Sequence, residues 1–320
     1  MLKKYYATYG GILIGGLYGL LMRIFFGVGF KGSGFSFADL FSITFVWVVP
    51  IIVGLTPLIF SGREHLEDTA YRIFRPVLSV LTFFIFCFIT QFEDIICLII
   101  IAFPFLIVAG ISGVIFGSII LKYRKKKGIM YSLFLLPFLT GIIEPTFPTP
   151  IENYETTSSI IINATKSEIW NNIVSVDKIQ EKEYKKGLFN YAGIPRPLFA
   201  EIDKDTIGGK RTGHFEGGLK FQENIIEWNK NNAVTFDIKI IPSTTTRTIF
   251  ERHMLNGQHF KFLTATYNII EISNKQSELF LTTKYELDTK INFYGDFWGQ
   301  QLLTDFQNRL IKVIKTRCEK

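Results

Sequence analysis

The segment "RTGHFEGGLKFQE", residues 211–223, sets an arginine and a glutamate on either side of a glycine turn. Glu216-Gly217-Gly218 separates two apolar-alternating runs, Gly208–Phe215 and Leu219–Trp228, and reads as a hairpin turn. With three residues in the turn, Phe215 faces Leu219, Gly213 faces Phe221 and Arg211 faces Glu223. Cross-strand partners point to the same side of a sheet, so all six share one largely apolar face. A two-residue turn would break this register. An arginine on such a face offers a forked donor set for a carboxylate or phosphate. The pair therefore reads either as the polar anchor of a ligand site or as a self-satisfied pair that fixes the sheet.

The remaining reactive residues form no comparable pattern. His65, His214, His253 and His259 show no i,i+4 pairing and no carboxylate at ligand spacing, so no metal is implied. Cys87, Cys97 and Cys318 match neither a metal-ligand spacing nor a disulfide framework. Glu251 and His253 sit in the polar stretch 242–257, which reads as a lid or a solvated loop; on a lid they would be an acid–base pair. Gly208-Gly209 and Gly217-Gly218 precede no helix and make no phosphate cradle. No cofactor is implied.

The elements that would position the pair are legible around it. Ser159–Asn163 reads as a strand, followed at once by a helix whose Thr165 and Glu168 make a capping box. Ile169, Trp170, Ile173 and Val174 give that helix one apolar face. Residues 177–192 read as a second, less regular helical stretch ended by Gly193. Strands follow at Leu198–Ile202 and in the 208–228 hairpin. In the next, Val234, Phe236, Ile238 and Ile240 alternate with polar residues. Phe260–Ile272 and Leu279–Leu287 form another hairpin, with Leu279, Leu281, Thr283, Tyr285 and Leu287 on one face. A helix over about 294–318 closes the chain, with a stripe of Leu302, Leu303, Phe306, Leu310, Val313 and Ile314. Seven antiparallel strands and one long amphipathic helix must bury that stripe on the sheet.

The first half has another character. The chain of 320 residues is 48% hydrophobic with a formal net charge of +7, but uncharged stretches are concentrated before residue 145. Apolar segments at 7–28, 40–60, 76–92, 95–122 and 128–144 read as five transmembrane helices. Glu93 and Asp94 mark a surface turn, since two acids in mid-bilayer would be costly. Lys3 and Lys4, the loop carrying Arg63, Arg72 and Arg75, and the run Lys122 to Lys127 fall on one side; of the two loops between spans on the other, one carries only Lys31 and the other no Lys or Arg. This alternation places the N-terminus in the cytoplasm of a multi-pass cell (inner) membrane protein and the C-terminal half outside it. If the fifth segment does not span, the C-terminal half is cytoplasmic. The basic charge thus reads as membrane orientation, not nucleic-acid binding. Gly11, Gly15 and Gly19, like Ala109, Gly113 and Gly117, allow close helix approach, within one chain or along a homodimer seam. Arg23 lies late in the first helix, where it can snorkel to the interface. The proline-bearing stretch 146–155 reads as a stiff linker.

Residues 156–320 resemble the START/pollen-allergen-like (SRPBCC, polyketide cyclase-like) helix-grip superfamily. The resemblance is carried by "IIINATKSEIWNNI", "GIPRP" at 193–197, "GGKRTGHFEGG", "ENIIEW" and "FQNRLIKVIK". It implies a curved seven-stranded sheet with two short helices and a long C-terminal helix, and a ligand cavity between sheet and last helix. The candidate lining is Arg211, Glu223, Phe215, Phe221, Phe236, Tyr285, Phe306 and Leu310. The function expected is a membrane-anchored protein whose extracytoplasmic domain binds a hydrophobic or amphipathic, lipid-like molecule. A cyclase or hydrolase acting on a hydrophobic substrate, and a sensory or partner-binding scaffold, are the alternatives.

Overall fold

The structure, a computed structural model, describes residues 2–28, 37–123, 132–241 and 259–320. Lys31, the run 124–127 and the 242–257 stretch with Glu251 and His253 lie outside the described residues, as do the side chains of Lys3 and Lys4. The chain forms two compact units, Met1–Thr149 and Pro150–Lys320.

The first unit is helical. It comprises α1 (Leu2–Val28), a π-helical turn (Thr44–Val48) leading into α2 (Val49–Phe60), α3 (Arg63–Glu67), α4 (Thr69–Ile89), α5 (Ile95–Tyr123) and α6 (Leu136–Ile143). Among the described residues, three helices are long and apolar enough to cross a membrane: Tyr9–Gly27 within α1, α4 and α5. The second expected span is the shorter Thr44–Phe60 and the fifth the shorter Leu133–Thr146. Residues 128–131 of the fifth lie outside the described residues, and Pro137 sits in the first turn of α6, where its missing N–H is tolerated. The third span starts earlier than its hydropathy suggests, at Thr69. Asp68 accepts a hydrogen bond from Ala70 N at 2.9 Å and caps the helix.

Small residues face inward in this unit. A Cβ on Gly11 would lie 2.8 Å from Pro57 Cα, one on Gly15 2.8 Å from Val53 O, and one on Gly19 2.7 Å from the Phe83 ring. The glycine face of α1 is thus filled by α2 and α4 of the same chain. Large apolar side chains such as Leu13, Leu17, Ile85 and Ile111 point outward. Arg23 does not snorkel. Its Nε donates to Glu93, and its Nη2 donates to Phe92 O at 3.0 Å. Both charged residues are buried, so Glu93 closes the α4–α5 turn onto the end of α1 instead of facing solvent.

The second unit is a seven-stranded antiparallel sheet gripped by a helix. Its elements are β1 (Ile151–Ile162), α7 (Lys166–Val174), α8 (Leu188–Tyr191), β2 (Pro197–Ile202), β3 (Lys210–Phe215), β4 (Lys220–Asn229), β5 (Ala233–Ile241), β6 (Phe260–Ser273), β7 (Gln276–Asp288) and α9 (Asn292–Cys318). The strand order is β1-β7-β6-β5-β4-β3-β2. Thr165 and Glu168 form the expected capping box at α7. Leu310, Ile311, Val313 and Ile314 of α9 join Phe236, Ile238, Tyr267, Leu279 and Leu281 of the sheet in one core.

Two expectations change here. Residues 151–155, read as linker, are the first part of β1, which pairs with β7 from Ile151↔Asp288 onward. Residues 177–192 contain only the one-turn helix α8. The stretch before it is held by side chains of α9 instead: Arg317 donates to Asp177 O and Lys178 O at 3.0 and 3.1 Å and pairs with Glu183.

Candidate functional site

The register inferred from the turn is the one observed. Arg211 pairs with Glu223 and Gly213 with Phe221, and Phe215 N donates to Leu219 O at 2.9 Å. The turn fits in three residues because Gly217 and Gly218 take φ of 72° and 81°, a region that glycine reaches without a Cβ clash.

Above this face lies a cavity of about 160 Å³. Its roof is Gly299, Leu302, Leu303, Phe306 and Leu310 of α9, and one rim is Ile194, Pro195 and Pro197 from the "GIPRP" segment. The walls include Phe215, Phe221, Phe260 and Phe262, and small residues at Ala200, Gly213 and Ala265 leave the space between them. Six of the eight expected residues line it: Arg211, Glu223, Phe215, Phe221, Phe306 and Leu310. The other two do not. The Phe236 ring lies beneath the guanidinium, 5.1 Å from Arg211 Cζ. Tyr285 is stacked between Tyr154 and Phe260, and its hydroxyl donates to Asp296 Oδ1 at 2.7 Å.

The polar centre is compact. Arg211 Nη1 donates to Glu223 Oε2, with 5% and 11% of the two side chains exposed. Arg211 Nε is buried and has no hydrogen-bond partner. Burial alone would lower the Arg211 pKa, but Glu223 and the Tyr267 hydroxyl raise it above its ordinary value, so the guanidinium is charged. Burial pushes the Tyr267 phenol up, against the pull of Arg211, and it is neutral. A buried ion pair of this kind must satisfy its remaining donors to be stable; the Nε–H is the one left over.

The rim carries a second ion pair. Arg196 Nε donates to Glu216 Oε1 at 2.6 Å, joining "GIPRP" to the β3–β4 turn. Burial opposes ionisation of Glu216, but Arg196 and Lys186 hold its carboxyl below the usual range. His214 also borders the cavity, but its ring does not turn into it. Strand alternation sets it on the opposite face from Arg211, where its ring stacks on Phe199 at 4.1 Å and Nε2 meets Glu201 at 3.0 Å. Among the described residues no cluster of three or more His, Cys, Asp or Glu side chains could hold a metal ion.

Sequence reasoning missed three polar residues. Tyr267 escapes because the β6 register shifts between Phe262 and Thr264. Alternation counted from Phe260 therefore assigns Tyr267 to the wrong face. Arg196 gives no sign of burial in sequence. Gln307 sits inside the apolar stripe of α9, fully buried, bonded to Ser158 Oγ at 2.9 Å, Thr156 O at 3.1 Å and Thr283 Oγ1 at 2.9 Å. Its position one residue after Phe306 was the available signal.

No family model matches the chain, and no curated protein matches it. Solved structures match its C-terminal half. One is a START superfamily protein from Mycobacterium smegmatis, 12% identical over 52% of this chain and 97% of that one, with a TM-score of 0.35. Another is norcoclaurine synthase from Thalictrum flavum, 11% identical over 53% and 94%, with a TM-score of 0.32. A third is an uncharacterised protein from Bacillus thuringiensis, 13% identical over 51% and 97%, with a TM-score of 0.34. The helix-grip assignment itself stands on strand order and on the helix that covers the sheet.

Proposed function

We propose that the protein is a membrane-anchored binding protein whose helix-grip unit takes up one compact hydrophobic molecule beneath α9. The observation that carries this reading is the cavity: phenylalanine-walled, roofed by a single helix, with its charges gathered at one point. Concave apolar pockets with a few convergent polar groups are the default ligand sites of proteins. The volume narrows the lipid-like guest expected from the sequence. An apolar cavity of about 150 Å³ holds a benzene-sized molecule, so about 160 Å³ suits one ring or a short chain and not a two-tailed lipid. Among the described residues, His214 and Glu201 are a histidine–carboxylate pair beside the cavity, and strand alternation turns the His214 ring to the outer face of the sheet.

The helical unit supplies the anchor, and its packing supports an outward C-terminal unit. Arg23 and Glu93 bring the end of α1 and the α4–α5 turn to one side. Arg72 near the start of α4 and Ser118 near the end of α5 meet at the other. The described basic residues Arg63, Arg72, Arg75 and Lys122 gather at that second side, which the positive-inside rule makes cytoplasmic. Leu133–Thr146 would cover only about 21 Å as α-helix, yet its partners climb α1 away from that side. Tyr18 donates to Phe134 O at 2.7 Å, and Phe25 meets Phe138 at 5.2 Å. Glu144 then accepts from Ile43 N and Thr44 N at 2.7 and 2.8 Å. The chain therefore leaves the helices on the Arg23–Glu93 side.

Two measurements test the reading. Native mass spectrometry of the full chain, released from nanodiscs, is expected to show a bound molecule of one-ring size; a bare chain after extraction from several hosts would count against binding. A reporter fused after Lys320 is expected to be active only outside the cytoplasm, and cytoplasmic activity would reverse the orientation.

A further inference from the structure

We infer that the start of α9 docks on the bilayer that anchors the chain, with Phe293 and Phe297 in the lipid interface; this rests on the membrane-anchor part of the reading above. The seven residues Asn292–Trp298 hold four aromatic side chains, Phe293, Tyr294, Phe297 and Trp298. Phe293 and Phe297 are four apart, so they share one helix face, and they are 67% and 53% exposed. Among the described residues they are the exposed phenylalanines of this unit. Ile151, at the start of β1, is 63% exposed as well. The charge within the seven residues, Asp296, is committed to the Tyr285 hydroxyl and to Gln300. Farther along α9 the exposed positions turn polar, at Gln300, Gln301, Asn308 and Lys312. Exposed phenylalanine is unfavourable in water, and seating it at the headgroup–acyl boundary recovers that cost.

Strand register ties this aromatic end to the tether. Ile151 pairs with Asp288, Phe260 with Leu287, Lys220 with Ile241 and Pro197 with Phe215. The start of β1, the end of β7, the β3–β4 turn and the "GIPRP" rim of the cavity therefore lie at one end of the antiparallel sheet. Asn292 Nδ2 donates to Pro150 O at 2.7 Å, so α9 starts where the chain enters this unit. The last apolar helical segment ends at Thr146, and the four peptide steps to Pro150 reach at most about 14 Å. From that point α9, with 27 residues, runs about 40 Å. The chain itself keeps the aromatic end near lipid and leaves the Lys312 end free to stand off. That tether favours the bilayer as the occupant, since lipid is always within reach and a second chain is not.

The test uses the full chain, one per nanodisc, in phosphatidylcholine that carries a diazirine near the carbonyl end of one acyl chain. After illumination, peptide mass spectrometry is expected to find lipid on the Asn292–Trp298 peptide and on outward residues of the helical unit such as Leu13, Leu17, Ile85 and Ile111, and none on Asn308–Cys318. Phe293→Ser together with Phe297→Ser is expected to lower the yield on the α9 peptide several-fold relative to the helical unit, because half-burying two phenylalanines is worth at least about tenfold in an equilibrium. The urea midpoint is expected to stay at the parent value, which reports that the fold survives, and the paired Phe→Leu variant is expected to keep most of the yield. Crosslinks in the helical unit with none at the start of α9, equal yields on Asn308–Cys318, or an unchanged yield in the serine variant would overturn the inference and leave the anchor in place. Crosslinks that appear only with two chains per nanodisc would assign the patch to a second copy and overturn it too. If no lipid is found on either unit, the anchor reading fails with it.

Discussion

The Arg211–Glu223 pair makes a prediction whose size follows from its surroundings. Replacing Arg211 by Met keeps an apolar stem of similar length but leaves Glu223, 11% exposed, with no cation beside it. Breaking a buried pair in this way costs about 3–5 kcal/mol. Loss of the guanidinium over the Phe236 ring at 5.1 Å adds roughly 0.5–2 kcal/mol. Glu223→Leu is expected to cost a similar 3–5 kcal/mol, because it strands the arginine. The double variant removes both charges and is expected to lie within about 1 kcal/mol of the parent, or above it in stability. The interaction energy in the cycle is then at least about 5 kcal/mol, far outside the additivity expected of independent sites. Urea unfolding of the full chain in nanodiscs, followed through the edge-to-face pair Trp170–Trp228 in this unit, supplies the assay. Single variants costing less than about 1 kcal/mol, or costs that simply add, would refute the burial argument.

Other expectations follow from neighbouring contacts. Gly213→Val is expected to raise stability by about 1–2 kcal/mol from strand entropy and added burial, because its Cβ would meet the Phe215 ring at 3.4 Å, Glu223 Oε1 at 3.6 Å and Phe221 O at 3.9 Å, all ordinary contact distances; a lower urea midpoint would contradict that room. Gln307→Leu removes the partner of Ser158 and Thr283 and is expected to cost about 2–4 kcal/mol at the two stranded hydroxyls, read in the same unfolding assay. Hydrogen bonds from Arg317 and from Gln180 N hold the Glu183 carboxyl down at about 2, against an ordinary 4.5. A carboxylate depressed in the folded state stabilises fully above its unfolded value and loses that contribution as pH falls toward the folded value. Glu183→Gln should therefore be less stable than the parent above pH 4.5 and converge with it near pH 2, and a constant gap across that window would exclude the ion pair as the cause. Gly15→Leu in α1 is expected to prevent close packing on α2, where Val53 O lies 2.8 Å from the added carbon, seen as aggregation of the full chain in size-exclusion chromatography; monodisperse behaviour would mean that the face is not filled by α2.

Legibility in the sequence tracked how local each determinant was. The capping box at Thr165 and the three-residue turn at Glu216–Gly218 are set by residues within a few positions, and both were readable. The Arg211–Glu223 register followed from that turn alone. The Tyr267 contact was not readable, since the register shift after Phe262 moves every later residue of β6 to the other face and nothing in the local sequence marks it. The same limit applies to α1. Its glycine spacing announced close packing, but only the fold shows that α2 and α4 of the same chain occupy it. Arg23 and Glu93 are 70 residues apart, and each read singly belongs at an interface; together they neutralise one another inside.

The space beneath α9 is a consequence of which positions carry small side chains. Ala200 and Gly213 are cross-strand partners, Ala265 pairs with Phe236, and Gly299 faces the Tyr285 hydroxyl, 3.1 Å from where its Cβ would be. Each small residue comes from a different element, so no single segment looks like a cavity wall. Glycine in a strand interior costs stability relative to a branched residue, and Gly213 has room for one. A core packed for stability alone would close that gap at little strain. The gap is instead kept open on the face that α9 roofs. A hollow left in a core is unfavourable in isolation, and an apolar guest that fills it relieves that cost.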